Sequence, residues 1–527
     1  MIRPLKFKQS SAVKLLLCFV FVAFVFYPFL QMVLSIKEGD ITKIINSPNF
    51  ATAVKNSLII TSVTTLISVT LGLLLAICIQ RTNIKYKDVF YLLLIMPMLV
   101  PSISHGMGLI VLFGTNGIIT NMFHLKSTIY GYTGAIAGSV LYSYPVAFVM
   151  LNDVLKYEDS SPYEAAEVLG IPKMRRLFCI SLPYLKRPLI SAVFSVFTMV
   201  ITDYGVPMMI GGKSTTLAVM MFQEVLGQLN FGKGIVIGLI LLIPAIITFV
   251  FNVLLKNNAK STFVTKPMNI KKNLKRDSLA YILSVSVITF IFVLIGSFAL
   301  LAFTKKYPTD MSFTFNNITK MLSLRGDRYL WNSIKIAVIV SAIGVMTSFV
   351  TAYLTTRMPS RLSQLLHLFS ITSLAIPGIV LGLSYSLTFS GSFIYGTLAI
   401  LILANLMHFF ASPYLLVYNC LSKVNQHLEE VGQTLGIGRL KVVFGIILPQ
   451  CKSTILEVIS YFFVNSMMTI SAVSFLANIS TKPLSLMIGQ FEGQMLYECA
   501  AVVSLAILLI NVIIKSVVYY VNHRRVK

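Results

Sequence analysis

Runs of about twenty apolar residues, separated by short polar or basic segments, recur from one end of this 527-residue chain to the other. They fall near 15–36, 57–79, 89–113, 133–152, 188–210 and 234–255, and again near 280–303, 332–356, 364–389, 396–418, 453–477 and 499–520. At a rise of about 1.5 Å per residue, each run is long enough to cross a hydrocarbon layer of roughly 30 Å as a helix. The runs are continuous rather than alternating, which selects helices over a barrel. The pattern predicts an all-α polytopic membrane protein of about twelve transmembrane helices.

The runs form two sets of six. Between them lies a basic segment, 256–278, with six lysines and Arg276 against the single acid Asp277. The chain therefore divides into a first half, 1–255, a basic linker, and a second half, 279–527. Asn56-Ser57 and Arg81, at the two ends of the second run, return 276 residues later as Asn332-Ser333 and Arg357. Pro101 and Gly106 return at the same offset as Pro377 and Gly382. An even number of helices precedes the second copy, so the two six-helix repeats are parallel, related by an axis along the membrane normal. Such an arrangement suits a pathway enclosed between two equivalent halves.

Composition agrees with the pattern and bounds the partners. Charged residues make up 12% of the chain, against roughly 25% in soluble domains, and the mean hydropathy is +0.83. A net charge of +25 in a soluble chain would suggest nucleic acid. Here the bilayer is the better partner, because Lys and Arg collect in cytoplasmic loops. With the N-terminus inside, 30 of the 43 basic residues fall on the cytoplasmic side. Both termini and the loops 153–187 and 419–452 are then expected on the cytosolic side of the membrane. The six cysteines show no CxxC spacing, so neither a disulfide frame nor a zinc site is indicated, and no other metal or cofactor motif appears.

The two long loops carry the most specific signal. Glu164 to Pro183 reads EAAEVLGIPKMRRLFCISLP, and Glu430 to Pro449 reads EVGQTLGIGRLKVVFGIILP. At an offset of 266, Glu164 meets Glu430, Gly170 meets Gly436, and Leu182-Pro183 meets Leu448-Pro449. Glu164-Ala165-Ala166 opens a short helix with small residues on one face. Gly170 ends it in a left-handed turn at little cost, and the segment with Lys173, Arg175 and Arg176 starts another. Helix, glycine turn, helix makes a rigid elbow; the bland alternative is an amphipathic loop lying on lipid.

E-A-A, three residues, G, then nine residues and I-x-L-P resembles the signature loop of permease subunits of binding-protein-dependent ABC importers. The resemblance covers nearly the whole chain as two fused permease domains. It implies that Glu164, Ala165, Ala166 and Gly170, with Glu430 and Gly436, form the contacts to an ATP-binding subunit. Val431 and Gly432 depart from the pattern where two alanines are usual. Paired loops imply two copies of the ATP-binding subunit, a separate polypeptide, so that the chain is a transport subunit and not itself an enzyme. The one near-match to a phosphate-binding loop, Gly212-Lys213-Ser214, has Pro207 where the first glycine is required. The resemblance further implies an extracytoplasmic substrate-binding protein that docks outside.

Helix breakers within two of the runs are the next signal. Pro97, Pro101, Gly106 and Gly108 crowd the third run, and Pro377, Gly378 and Gly382 the ninth. Backbone groups freed at membrane depth are tolerated where protein or a water-lined cavity satisfies them, so these helices face the axis or are kinked for packing. His105 beside the break either lines the pathway or packs as a hydrogen-bonded histidine. The stretches after the fifth and eleventh runs resemble the outer segments of the ferric-iron, 2-aminoethylphosphonate, thiamine and polyamine permeases. By that analogy Asp203, Tyr204 and Ser471 lie near an outer gate, and the substrate is expected to be 2-aminoethylphosphonate or ferric iron. The competing class is an ion-coupled secondary transporter, also built of two parallel halves. It calls for ionisable groups at midplane, in which the chain is poor.

Overall fold

In the computed structural model, residues 5–125, 129–255, 268, 270 and 272–523 are described; most of the basic linker falls outside them. Among the described residues, nine helices are long and apolar enough to cross a membrane, and three bent pairs raise the number to twelve. The first six spans are Ser10–Leu34, Phe50–Gln80, Ser102–Met122, Tyr132–Lys156, Phe178–Ile201 and Phe231–Phe251. The seventh and eighth are Leu274–Ala302 and Asn316–Arg357. Three bent spans follow, Arg361–Ala375 with Gly378–Phe389, Leu398–Phe409 with Ala411–Lys423, and Arg439–Gln450 with Lys452–Met468, before the last, Tyr497–Asn522. A two-stranded hairpin, Thr304–Lys306 with Asp310–Phe313, sits between the seventh and eighth.

Two of the spans turn their small polar residues inward, among buried apolar ones, and leave large apolar side chains outside. On Phe50–Gln80, Asn56, Ser57, Thr61, Thr64, Thr65 and Ser68 are buried, while Leu58, Val63, Leu66 and Leu74 are exposed. On the eighth span Asn332, Ser333, Ser341, Ser348 and Thr351 are buried, and Val338, Ile343 and Met346 are exposed. Hydrocarbon is the solvent that makes such an exterior stable, since it leaves buried hydroxyls and amides to bond across helices.

Both proline breaks fall at matching places. Just before the third span, within the third apolar run, the chain passes through a short 3-10 turn, Met96–Leu99, and an extended Val100 into Pro101, which caps Ser102–Phe113. In the ninth, Ser373–Ala375 is the 3-10 turn, Ile376 is extended, and Pro377 caps Gly378–Phe389 with a 106° bend. A missing amide hydrogen and a fixed φ suit proline to the start of the second segment. The fifth run was expected to continue to 210 and the eleventh to 477. The fifth instead stops at Ile201 and the eleventh at Met468. In the fifth, Asp203 Oδ2 accepts the Val206 amide at 3.0 Å and so starts a separate short helix, Gly205–Ile210.

The halves exchange their first helices. Cys18, Phe21 and Val25 of the first span pack with Val340, Leu381, Tyr385 and Phe410 of the second half. The Tyr385 hydroxyl donates to the Phe24 carbonyl at 2.6 Å, and buried Lys14 donates to the Met358 carbonyl at 2.7 Å. Reciprocally, Ile288 and Ile291 of the seventh span pack with Leu94, Tyr144 and Phe148 of the first half. A further core joins the halves directly, with Ile103, Tyr204 and Val206 against Ile379, Ile470 and Phe475.

Candidate functional site

The face that carries Arg81 and Arg357 at helix ends also carries the two loops. In the first loop the helix Ser161–Val168 is followed by Gly170 at φ +66°, and in the second Leu428–Thr434 is followed by Gly436 at φ +70°. The closing hydrogen bonds match. The Ile171 amide donates to the Ala166 carbonyl at 2.9 Å and the Gly170 amide to Glu167 at 3.1 Å; Ile437 donates to Gly432 at 2.7 Å and Gly436 to Gln433 at 3.1 Å. This is a Schellman-type end, in which a left-handed residue turns the chain back onto the helix's last carbonyls. Short return helices follow, Lys173–Arg176 and Arg439–Val442.

The outward surface of each elbow is apolar as well as charged. Val168 and Leu169 on the first, and Leu435 and Leu440 on the second, are exposed at the tips. Glu164 accepts from Ser160 Oγ at 2.9 Å and Glu430 pairs with His427 Nδ1 at 2.9 Å; both glutamates and Ala165 stay exposed, while Ala166 is buried. Gly432 stands at the Ala166 position because its return helix differs. A Cβ there would approach Val442 Cγ2 at 2.6 Å. In the first loop the residue matching Val442 is Arg176, whose Nε bonds back to the Ile171 carbonyl at 2.6 Å.

On the opposite face the segments after the fifth and eleventh spans fold back into the protein. Asn56 donates to the Thr215 carbonyl at 3.0 Å and Ser57 accepts the Leu217 amide at 2.7 Å. Asn332 donates to the Ser480 and Lys482 carbonyls at 3.0 and 3.2 Å, and Ser333 accepts the Leu484 amide at 2.7 Å. Between these segments and the loop face, a cavity of about 80 Å³ lies at the junction of the halves. Pro101, Ser102, Tyr142 and Asp203 line it from the first half, and His408, Asn465 and Ser471 from the second. Asp203 Oδ1 accepts from Ser102 Oγ at 2.6 Å. No lysine or arginine is among the lining residues.

Two inward-turned halves, each with the same loop on the same face, point to one family. The binding-protein-dependent transport system inner membrane components match this chain twice, over residues 68–261 and 344–527. The chain belongs to this family. It is a fused permease, the membrane subunit of an ABC importer. The ferric transport system permease protein FbpB of Actinobacillus pleuropneumoniae is 24% identical to the permease over 90% of this chain and 73% of its own. An Fe(3+)-transport system permease protein of Haemophilus influenzae, FbpB 2, is 22% identical over 92% of this chain and 93% of its own. Among solved structures, a bacterial alginate ABC transporter in complex with its periplasmic protein aligns at a TM-score of 0.38 and 16% identity, over 46% of this chain and 91% of that one.

Of the permease residues expected along a pathway, the cavity brings together Pro101, Asp203 and Ser471. The others stand beside it. His105 is fully buried with its ring 5.9 Å from that of Tyr142. Tyr204 is buried against Phe222 at 4.5 Å. Gly106 and Gly382 are contact points, where a Cβ would reach Met209 Cβ at 2.7 Å and the Ala472 carbonyl at 2.8 Å. Pro377 caps the helix behind. His408, an ionisable residue within a span and so a candidate from sequence, also lines the cavity; Tyr142 and Asn465 were missed, although Tyr142 and His408 occupy one repeat position, 266 residues apart.

Proposed function

We propose that this permease takes ferric iron from an extracytoplasmic binding protein and releases it into the cytosol, driven by two copies of a separate ATP-binding subunit on the loop face. The observation that carries the drive is the pair of matching elbows, Ser161–Arg176 and Leu428–Val442, each stiffened by a left-handed glycine and each with an apolar tip. A single partner surface, presented twice, would seat both. The loop face is then cytoplasmic with both termini, as the distribution of basic residues favours. ATP binding draws the elbows together, and the halves 1–255 and 279–527 rock about the cavity. Glu164, Ala165, Ala166, Gly170, Glu430 and Gly436 form the coupling surface, and Pro101, Asp203 and Ser471 line the passage.

The lining favours a cation among the expected substrates. Asp203, Tyr142, His408 and Asn465 supply oxygen and nitrogen donors around one carboxylate, and no lysine or arginine is among the lining residues to hold a phosphonate. Anion sites are built from Arg, Lys and amide donors, whereas hard cations take oxygen ligands. The relatives named for ferric transport support the same choice. An ion-coupled secondary transporter has no use for the duplicated elbows.

The test is uptake into vesicles holding the permease, its ATPase and its binding protein. Radioiron should accumulate with ATP, and unlabelled 2-aminoethylphosphonate should not compete. Accumulation of labelled 2-aminoethylphosphonate with ATP, and none of iron, would reverse the substrate assignment.

A further inference from the structure

Arg81 closes the second span and Arg357 ends the eighth. Arg81 Nη2 pairs with Glu158 and also donates to the Tyr163 hydroxyl at 3.0 Å. Arg357 Nη2 donates to the Val424 carbonyl at 2.9 Å and Nη1 to the Asn425 carbonyl at 2.8 Å, while Nη1 also stands 3.6 Å from the Glu429 carboxylate as an ion pair without a hydrogen bond. At the 266-residue offset of the loops, Val424 matches Glu158 and Glu429 matches Tyr163. Each arginine therefore grips the same two loop positions, although the chemistry at both positions has changed. A backbone carbonyl replaces a carboxylate at one, and a carboxylate replaces a phenol at the other.

A tyrosine extends each grip to the far leg of the loop. Tyr163 bonds Ser181 Oγ at 2.8 Å; Tyr353 accepts from Arg439 Nε at 2.8 Å and reaches Glu429 at 3.3 Å. Burial pushes the Tyr163 phenol above its ordinary value, and the Glu158 carboxylate that it faces adds to the rise, so it remains a donor. The guanidinium group can do this because its planar fork presents five donors and so reaches two loop positions at once. Its charge also suits the carbonyl end of a helix.

The opposite ends of the same two helices hold the re-entrant segments, through Asn56 and Ser57 in one half and Asn332 and Ser333 in the other. Phe50–Gln80 and Asp327–Arg357 are each 31 residues long. We propose that these two helices are struts that carry motion from the elbows to the far-face segments, pinned at the loop end by Arg81 and Arg357 and at the far end by the Asn-Ser pairs. This rests on the permease reading and adds positioning residues to it. A pinned rod of fixed length moves both ends together, and loss of either pin frees the far segment from the loop.

Two pairs of substitutions test the struts: Arg81→Lys with Arg357→Lys, which keeps charge at the helix end but cannot reach both loop positions, and Ser57→Ala with Ser333→Ala. Each permease is reconstituted with its ATPase and binding protein, and radioiron imported per ATP hydrolysed is measured beside the wild type. Each pair is expected to lower that ratio ten-fold or more while the ATPase still co-elutes, and all four substitutions together are expected to lower it no further. Multiplied losses in the combined variant, equal falls in uptake and hydrolysis, or failure of the ATPase to co-elute would each overturn the struts. Wild-type vesicles that import no radioiron on ATP would instead count against the ferric-iron reading.

Discussion

The hydroxyl of Tyr204 lies 2.6 Å from Ser474 Oγ, joining the re-entrant segment of one half to that of the other across 270 residues of chain. Both side chains are buried, and the Tyr204 ring stacks on Phe222 beside Phe475. This is a direct polar tie between the two far-face segments, so opening on that side must break it. A buried neutral hydrogen bond contributes about 1 kcal/mol net, close to a factor of five in an equilibrium. Tyr204→Phe keeps the ring and removes the tie. Hydrolysis of ATP in the absence of binding protein should rise several-fold in vesicles, and an unchanged rate would remove the tie from the gate.

Gly170 and Gly436 should tolerate alanine in space but not in backbone. A Cβ at either meets nothing within 4 Å, yet φ is +66° and +70°. Left-handed backbone costs an L-residue roughly 1–2 kcal/mol, and asparagine less than alanine. Protease cleavage within 161–176 or 428–442 should therefore rank alanine above asparagine above glycine in each loop. Uptake should fall in the same order.

Gly432 presents the opposite case. Its φ is ordinary, but a Cβ would press Val442 Cγ2 at 2.6 Å. Overpacking of this kind costs typically 1–3 kcal/mol. Gly432→Ala, which restores the residue found at position 166, should reduce uptake. Adding Val442→Ala should recover most of it, because the pair then has room.

The exchanged first helices predict that separately expressed halves remain together. With residues 1–267 and 268–527 made as two chains, the second should co-purify with the first in mild detergent. The contacts are Phe21 on Phe410 at 5.1 Å, Phe26 on Phe369 at 4.9 Å and the buried Lys14 bond to Met358. Deleting residues 1–34 should reduce capture at least ten-fold. Full capture without them would show that the other contacts suffice.

Much of this architecture is legible in sequence because its signals are local. An apolar run of sufficient length is a span, and Gly170 and Gly436 announce left-handed turns because other residues are strained there. Pro101 and Pro377 fix both helix breaks. The ends of the fifth and eleventh spans were hidden, since Val206, Met208, Met209 and Ile210 continue the apolar run beyond the break at Thr202. The helix exchange was hidden for a different reason. Lipid-facing and partner-facing surfaces are both apolar, so Phe19 and Phe21 look alike although one is exposed and the other buried. Tyr142 and His408 escaped notice as a cavity pair because their chemistries differ. Arg81 and Arg357 were visible as repeat landmarks, but only the folded loops reveal what they hold.

The most direct test of an ATP-driven permease worked through paired elbows is radioiron uptake by vesicles containing the permease, its ATPase and its binding protein, with residues 161–176 or 428–442 intact or scrambled. Uptake should require ATP and both intact elbows, and scrambling either should abolish it while the permease stays in the membrane. Uptake on a proton gradient by the chain alone, indifferent to the elbow sequences, would contradict the account.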